Sequence, residues 1–211
     1  MDIRFQVDSA PVLGPLLVLF AAVTVVQVWR GRWRKYHALL QLAAGVYLSA
    51  VLSLTIFPLN VTWGVYANQA PWVGQINFIP LLTADLTFVP NVLMLVPAGF
   101  LLPLLFRHAT SPGRAALITA TVSLTLEAAQ LLSYIVLNNG RSVDVNDVLA
   151  NTLGGLAGYA LARLALRAPS LRAPLLAAAR PGSAALREEH RRTTAGDPPP
   201  PAPIADPVVR P

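Results

Sequence analysis

Cysteine is absent from this 211-residue chain. That excludes disulfides and every cysteine-based metal site. Histidine is scarce: His37, His108 and His190 lie far apart and beside basic residues, so a His-rich zinc site is not expected. Charge is thin as well, at 12% of residues, against about 25% in an ordinary soluble domain. Apolar side chains fill the space: 55% of the chain is hydrophobic and the mean hydropathy is +0.55. This balance describes an integral membrane protein with one membrane domain and a remainder of roughly 40 residues.

The formal net charge is +6, and all 16 basic residues but Lys35 are arginine. Together with abundant alanine, that bias points to a GC-rich bacterial genome and hence to the bacterial cell membrane, crossed several times. The basic residues gather at the ends of hydrophobic runs. There they set topology and meet lipid headgroups. No recognition motif accompanies them, so membrane lipids are the expected partners and nucleic acid is not.

A helix needs roughly 20 mostly apolar residues to cross the hydrocarbon core. Five runs qualify: Val12–Trp29, Ala38–Phe57, Phe88–Phe106, Ala115–Leu137 and Val148–Leu166. The first lacks a positive leading segment and carries its basic cluster after the run, which is the wrong arrangement for a cleaved signal. The expected fold is therefore an all-α polytopic bundle of about five transmembrane helices. Residues 1–37 form the first span and a basic loop, 38–166 the membrane core, and 167–211 a Pro/Arg-rich tail. With Pro198 to Pro201 in a row, that tail is expected to be disordered and polyproline-like.

The loop after span one carries Arg30, Arg32, Arg34 and Lys35, the next on that side Arg107 and Arg114, and the tail Arg167, Arg172 and Arg180. The opposite side has Arg4 and Arg141. Positive charge stays in the cytoplasm, which puts the N-terminus outside and the C-terminus inside. The long outer loop, Pro58–Thr87, holds Trp63, Tyr66, Trp72 and Phe78 with Asp85 as its one charge. Such a segment is expected to lie on or dip into the outer leaflet. Asn60-Val61-Thr62 fits a glycosylation pattern that a bacterial protein has no use for.

Polar residues within the spans are the informative ones. At about 100° per residue, Thr119, Ser123, Glu127, Gln130 and Tyr134 share about 80° of one helix face. Glu127 stands about 15 Å from the helix end near Leu137, close to mid-membrane. An ionisable group at that depth is expensive and marks a functional site by default. Two readings stand: Glu127 is neutral or hydrogen-bonded to a neighbour such as Asn91 and ties the bundle together, or it carries protons or touches a ligand in an outward cavity. Asn138-Asn139-Gly140 is turn chemistry. Asp144 suits the N-cap of span five and Asp147 its first turn. Asp144, Asp147, Asn151, Gly154 and Gly158 again fall within about 80°. The glycines allow close helix approach. If that face meets the stripe of span four, Glu127 lies at the bottom of a cleft with Arg141, Asp144 and Asp147 near its mouth. Span three holds Pro97 and Pro103 and is expected to be a broken helix; Asn91, Ala98 and Leu102 share a face of it.

Asn77-Phe78-Ile79-Pro80, then Asn91, Pro97, Gly99 and Pro103, then Glu127-x-x-Gln130, then Arg141-x-x-Asp144-x-x-Asp147-x-x-x-Asn151-x-x-Gly154-x-x-x-Gly158 form an ordered set that resembles the VanZ-like membrane proteins. The resemblance spans about residues 77–160. It implies that Asn91, Glu127, Gln130, Arg141, Asp144, Asp147 and Asn151 form a shared functional cleft, with Pro97, Gly99, Gly154 and Gly158 in helix packing. The founding member is associated with low-level resistance to teicoplanin, a lipoglycopeptide acting outside the cell; the resemblance implies no mechanism.

Three functions fit: a non-enzymatic factor handling envelope material or an amphiphilic ligand at the outer leaflet; an intramembrane enzyme on a lipid-linked substrate, with Glu127 in acid–base work and Asp144 and Asp147 on a divalent cation; or a small carrier, for which no inverted repeat is evident. No cofactor is expected and no metal is assigned. Because the chain is cysteine-free, one cysteine introduced between residues 59 and 86 should react with a membrane-impermeant maleimide on intact cells; labelling from the cytoplasmic side alone would reverse the topology.

Overall fold

The computed structural model describes residues 2–67, 70–79 and 88–194. A short strand, β1 (Ile3–Val7), leads into α1 (Ser9–Trp29), which turns back into α2 (Lys35–Thr55). β2 (Leu59–Trp63) pairs antiparallel with β1, Ile3 opposite Trp63 and Val7 opposite Leu59. Two 3₁₀ turns, Gly64–Tyr66 and Trp72–Gln75, precede β3 (Ile76–Asn77). Then come α3 (Phe88–Leu105), α4 (Pro112–Leu137), β4 (Val143–Asp144), α5 (Val145–Ala165), α6 (Pro169–Ala178) and α7 (Ala184–Thr194). The protein is an all-α membrane helical protein with two small two-stranded ribbons.

Helix boundaries fall within about three residues of the hydropathy reading. Among the described residues four helices, α1 to α4, are long and apolar enough to cross a membrane. α5 has the length, at 21 residues, but not the apolar content expected of a fifth span. Asn146, Asp147, Asn151 and its glycines dilute it, and Asn146, Asn151, Gly154, Gly155, Gly158 and Tyr159 are all buried in protein. The polar face is covered by neighbouring helices, while the opposite face exposes Leu149, Leu153, Leu161 and Leu164, the pattern of an amphipathic helix. α1 exposes most of its apolar side chains, Leu16, Val18 and Leu19 among them.

The core is the contact of α5 with α3, backbone against backbone. A Cβ on Gly154 would stand 2.1 Å from the carbonyl oxygen of Val92, and one on Gly158 would stand 1.9 Å from that of Val96. Gly99 meets the Gly155 carbonyl in the same way, at 1.9 Å. On its other side Gly155 faces Thr119 of α4, whose Cγ2 lies 2.2 Å from where a Cβ would be. The glycine pair of α5 thus packs on α3 and not on the polar stripe of α4. α3 is also one continuous helix, not a broken one, although Pro97 and Pro103 lie inside it. Each proline removes one donor, while the ladder on either side persists and the α5 backbone braces residues 92 to 100.

The segment after α5 departs most from expectation. α6 and α7 are helices where disorder was expected. Arg172 of α6 and Glu189 of α7 form an ion pair at 2.6 Å, and Glu188 pairs with Arg191 and Arg192 along α7. Ala179 and Ala185 are buried with Leu104 of α3. Arg180 N–H donates to the Leu104 carbonyl at 2.8 Å and Ala184 N–H to that of Phe106 at 3.1 Å. These are orphan carbonyls at the C-terminus of α3, which every helix end must satisfy somehow. Apolar burial plus caps outweigh the high proline and charge content that suggested disorder. The proline run from Pro198 lies outside the described residues, as does Asp85.

Gly158→Ala should destabilise the detergent-solubilised protein by about 1–3 kcal/mol, the usual cost of overpacking, while Gly113→Ala, with open space around it, should not. Comparing their unfolding midpoints is the check; equal midpoints would remove the α3–α5 contact from its central place.

Candidate functional site

The site is built where α4 outruns α5. Leu137 is about 15 Å beyond Glu127 along the helix axis, yet α5 begins beside Glu127. The chain from Asn138 to Asp144 therefore runs back along α4. Asn138 starts this reversal in the left-handed region, φ 52°, as the C-cap of α4; asparagine is one of the few side chains that tolerates it. Asn139, 2% exposed, takes a hydrogen bond from Asn60 at 3.3 Å, and Thr62 Oγ1 donates to the Asn138 carbonyl at 2.9 Å. The Asn60–Thr62 triplet is thus a strand edge that pins the turn.

Glu127 is 5% exposed. Its Oε2 accepts the Asp144 N–H at 3.2 Å, so the carboxylate caps the chain as it enters α5. Each oxygen of Asp144 accepts one protein donor: Oδ1 from Asn146 N–H at 2.8 Å, the N-cap bond, and Oδ2 from Asn77 Nδ2 at 3.0 Å. β3 and β4 run parallel here, with Asn77 opposite Asp144. Asp147, partly exposed, accepts from Asn91 Nδ2 through its Oδ1. Asn91 therefore serves Asp147 and not Glu127. One turn below, Asn151 Nδ2 donates to Ser123 Oγ at 2.8 Å, joining α5 to the stripe of α4, while Asn151 Oδ1 is buried with no partner among the described residues.

Gln130 and Arg141 are placed elsewhere. Gln130 Nε2 donates to the Thr55 carbonyl at 2.8 Å and Arg141 donates to that of Phe57 at 2.7 Å. Both close the C-terminal end of α2, where a cation and a donor complement the partial negative charge. Among the described residues neither Glu127, Asp144 nor Asp147 is in an ion pair; those that form belong to α6 and α7. The cluster is three carboxylates held by amide and backbone donors. Glu127 lies at its base, with Asp144 and Asp147 nearer the surface.

No group of three or more His, Asp or Glu side chains among the described residues is arranged to hold a metal ion. Asn77 is the member that the site reading passed over; its signal was its place at the head of the family motif. Ser123 was visible in the stripe but not as the partner of Asn151. Tyr134 Oη donates to the Ala70 carbonyl at 2.7 Å, tying the same stripe to the loop.

Since Gln130 and Arg141 serve backbone carbonyls, Gln130→Ala and Arg141→Ala should each lower unfolding stability by about 1 kcal/mol. Glu127→Gln keeps an acceptor for the Asp144 N–H and should leave the midpoint near that of the parent. Thermal unfolding in detergent checks both; a stable Arg141→Ala beside an unfolded Glu127→Gln would invert the assignment.

No curated protein matches the chain, and no solved structure does. The VanZ/LLP1 family model matches residues 44–166. That stretch starts in α2 and ends just past α5, taking in α3, α4 and every carboxylate of the cluster. It reaches further upstream than the motifs between residues 77 and 160 and takes in the end of α2 that Gln130 and Arg141 close. Covering more than half the chain, the match establishes that this protein belongs to the VanZ-like family of membrane proteins.

Proposed function

We propose that this protein is a non-enzymatic factor of the bacterial cytoplasmic membrane whose carboxylate cleft opens to the outer face and engages envelope material or an amphiphilic, lipoglycopeptide-type ligand. One observation carries the reading. Glu127, Asp144 and Asp147 converge at one end of the bundle with no cationic partner among the described residues, although Arg141 is close in sequence. An acidic cluster at a membrane interface suits a ligand that brings its own cation or a set of hydroxyl and amide donors. The basic termini of α1, α3 and α5 lie at the opposite end, and the positive-inside rule puts the acidic end outside.

The second reading is an intramembrane enzyme on a lipid-linked substrate, favoured by the one oxygen of Glu127 that accepts nothing among the described residues. Non-helical backbone at the depth of Glu127, tolerated only where protein or cavity water surrounds it, suits either reading. A small carrier is the third.

Complementing a deletion strain with Glu127→Gln, Asp147→Asn and Asp144→Asn separates them. At normal membrane levels, each variant should fail to restore the parental susceptibility to lipoglycopeptides, lipopeptides and detergents, and chelating divalent cations should change nothing. An unaltered susceptibility profile on deletion would remove the proposal; a divalent-ion requirement lost in Asp147→Asn would transfer it to the enzyme reading.

A further inference from the structure

At the other end of the bundle a recess of about 470 Å³ lies between the end of α3 and the α6–α7 turn. Its walls are Arg107 and His108, just past α3, and Arg180, Ser183 and Arg187, with Leu105 and Phe106 as an apolar floor. No aspartate or glutamate among the described residues lines it. None of the three arginines is in an ion pair among the described residues, while Arg172, Arg191 and Arg192 nearby all are. Ser183 is 1% exposed, and its Oγ has no hydrogen-bond partner among the described residues. It precedes the first residue of α7, a position where serine normally caps the helix. An uncompensated hydroxyl in such a place is costly unless something outside the chain accepts it or donates to it.

We propose that this recess binds a phosphate group. Arg180 and Arg187 present planar donor forks suited to phosphate oxygens, and Arg107, whose Nε donates to His108 Nε2 at 2.8 Å, adds its two terminal nitrogens. The Ser183 hydroxyl adds a buried donor, and the positive end of the α7 dipole adds its field. Leu105 and Phe106 also line an apolar groove with Leu13 and Leu16 of α1 and Leu48 of α2, both membrane-length helices, so the phosphate of an anionic phospholipid reaches the recess with its acyl chains still in hydrocarbon. A free phosphate uses the same donors. The site is independent of the carboxylate cleft: the two share no residue.

The test uses the full-length protein in a zwitterionic detergent. Native mass spectrometry measures retention of phosphatidylglycerol, cardiolipin and phosphatidylcholine, and calorimetry measures binding of inorganic phosphate. Anionic lipid should be retained in preference to phosphatidylcholine. The exposed pair Arg180→Ala/Arg187→Ala should weaken retention about tenfold, the loss expected for charge-assisted contacts, and Ser183→Ala about threefold by the same reasoning. Arg30→Ala/Arg32→Ala, at the same membrane end but outside the recess, should leave it intact. Inorganic phosphate binding with the same arginine dependence, without lipid preference, would identify a soluble source. Absence of both, or an equal loss in the Arg30/Arg32 variant, overturns the proposal.

Discussion

Everything in this bundle rests on two helix backbones brought into contact. α5 carries a polar, glycine-rich face that must be covered, and only the glycines let that face sit close enough to α3, while Leu149, Leu153, Leu161 and Leu164 stay exposed on the other side. Gly154 and Gly158 against the carbonyls of Val92 and Val96, and Gly99 against that of Gly155, leave no room for a methyl group. Carbonyl oxygens this near a glycine Cα are placed for weak C–H···O contacts, which add to the dispersion gained by close packing. Gly155 then presses the same helix onto Thr119. Once α3, α4 and α5 are locked, the start of α5 has only one place to be, and that brings Asp144 and Asp147 to Glu127 and Asn91.

The carboxylate cluster is consequently a by-product of packing as much as a site. Each acid has a structural task that its chemistry also suits. Glu127 terminates the chain reversal by accepting the Asp144 N–H, Asp144 caps α5, and Asp147 holds Asn91 on α3. Asp144 has a donor on each oxygen, while Glu127 and Asp147 have one protein donor each, so Asp144 is the most firmly held of the three.

How far the sequence reveals this depends on the range of the interaction. Helical periodicity is local, so the stripe from Thr119 to Tyr134 and the polar face of α5 were readable, and so were the helix boundaries. Arg141 was not: its sequence neighbours put it at the mouth of the cleft, but the end of α2, more than 80 residues upstream, offers a carbonyl that claims it, and no local pattern records that. The same holds for Asn77 and Asp144, joined through a parallel ribbon between distant segments. The prolines of α3 were read as breaks because the bracing α5 backbone is invisible in one dimension. For α6 and α7 the signal was present in the Glu188, Arg191 and Arg192 spacing, but proline and charge content masked it. β1, Ile-Arg-Phe-Gln-Val, alternates strictly but over five residues only, and its partner β2 is on the far side of two helices.

The caps at the end of α3 have a consequence for biosynthesis. The carbonyls of Leu104 and Phe106 receive their donors from Arg180 and Ala184, which emerge from the ribosome after α4 and α5 have been made. During insertion the end of α3 must be held by water or by the translocation machinery. The last helices are thus a closing step, and a chain truncated after α5 would keep its carboxylate cluster yet leave its third helix unfinished.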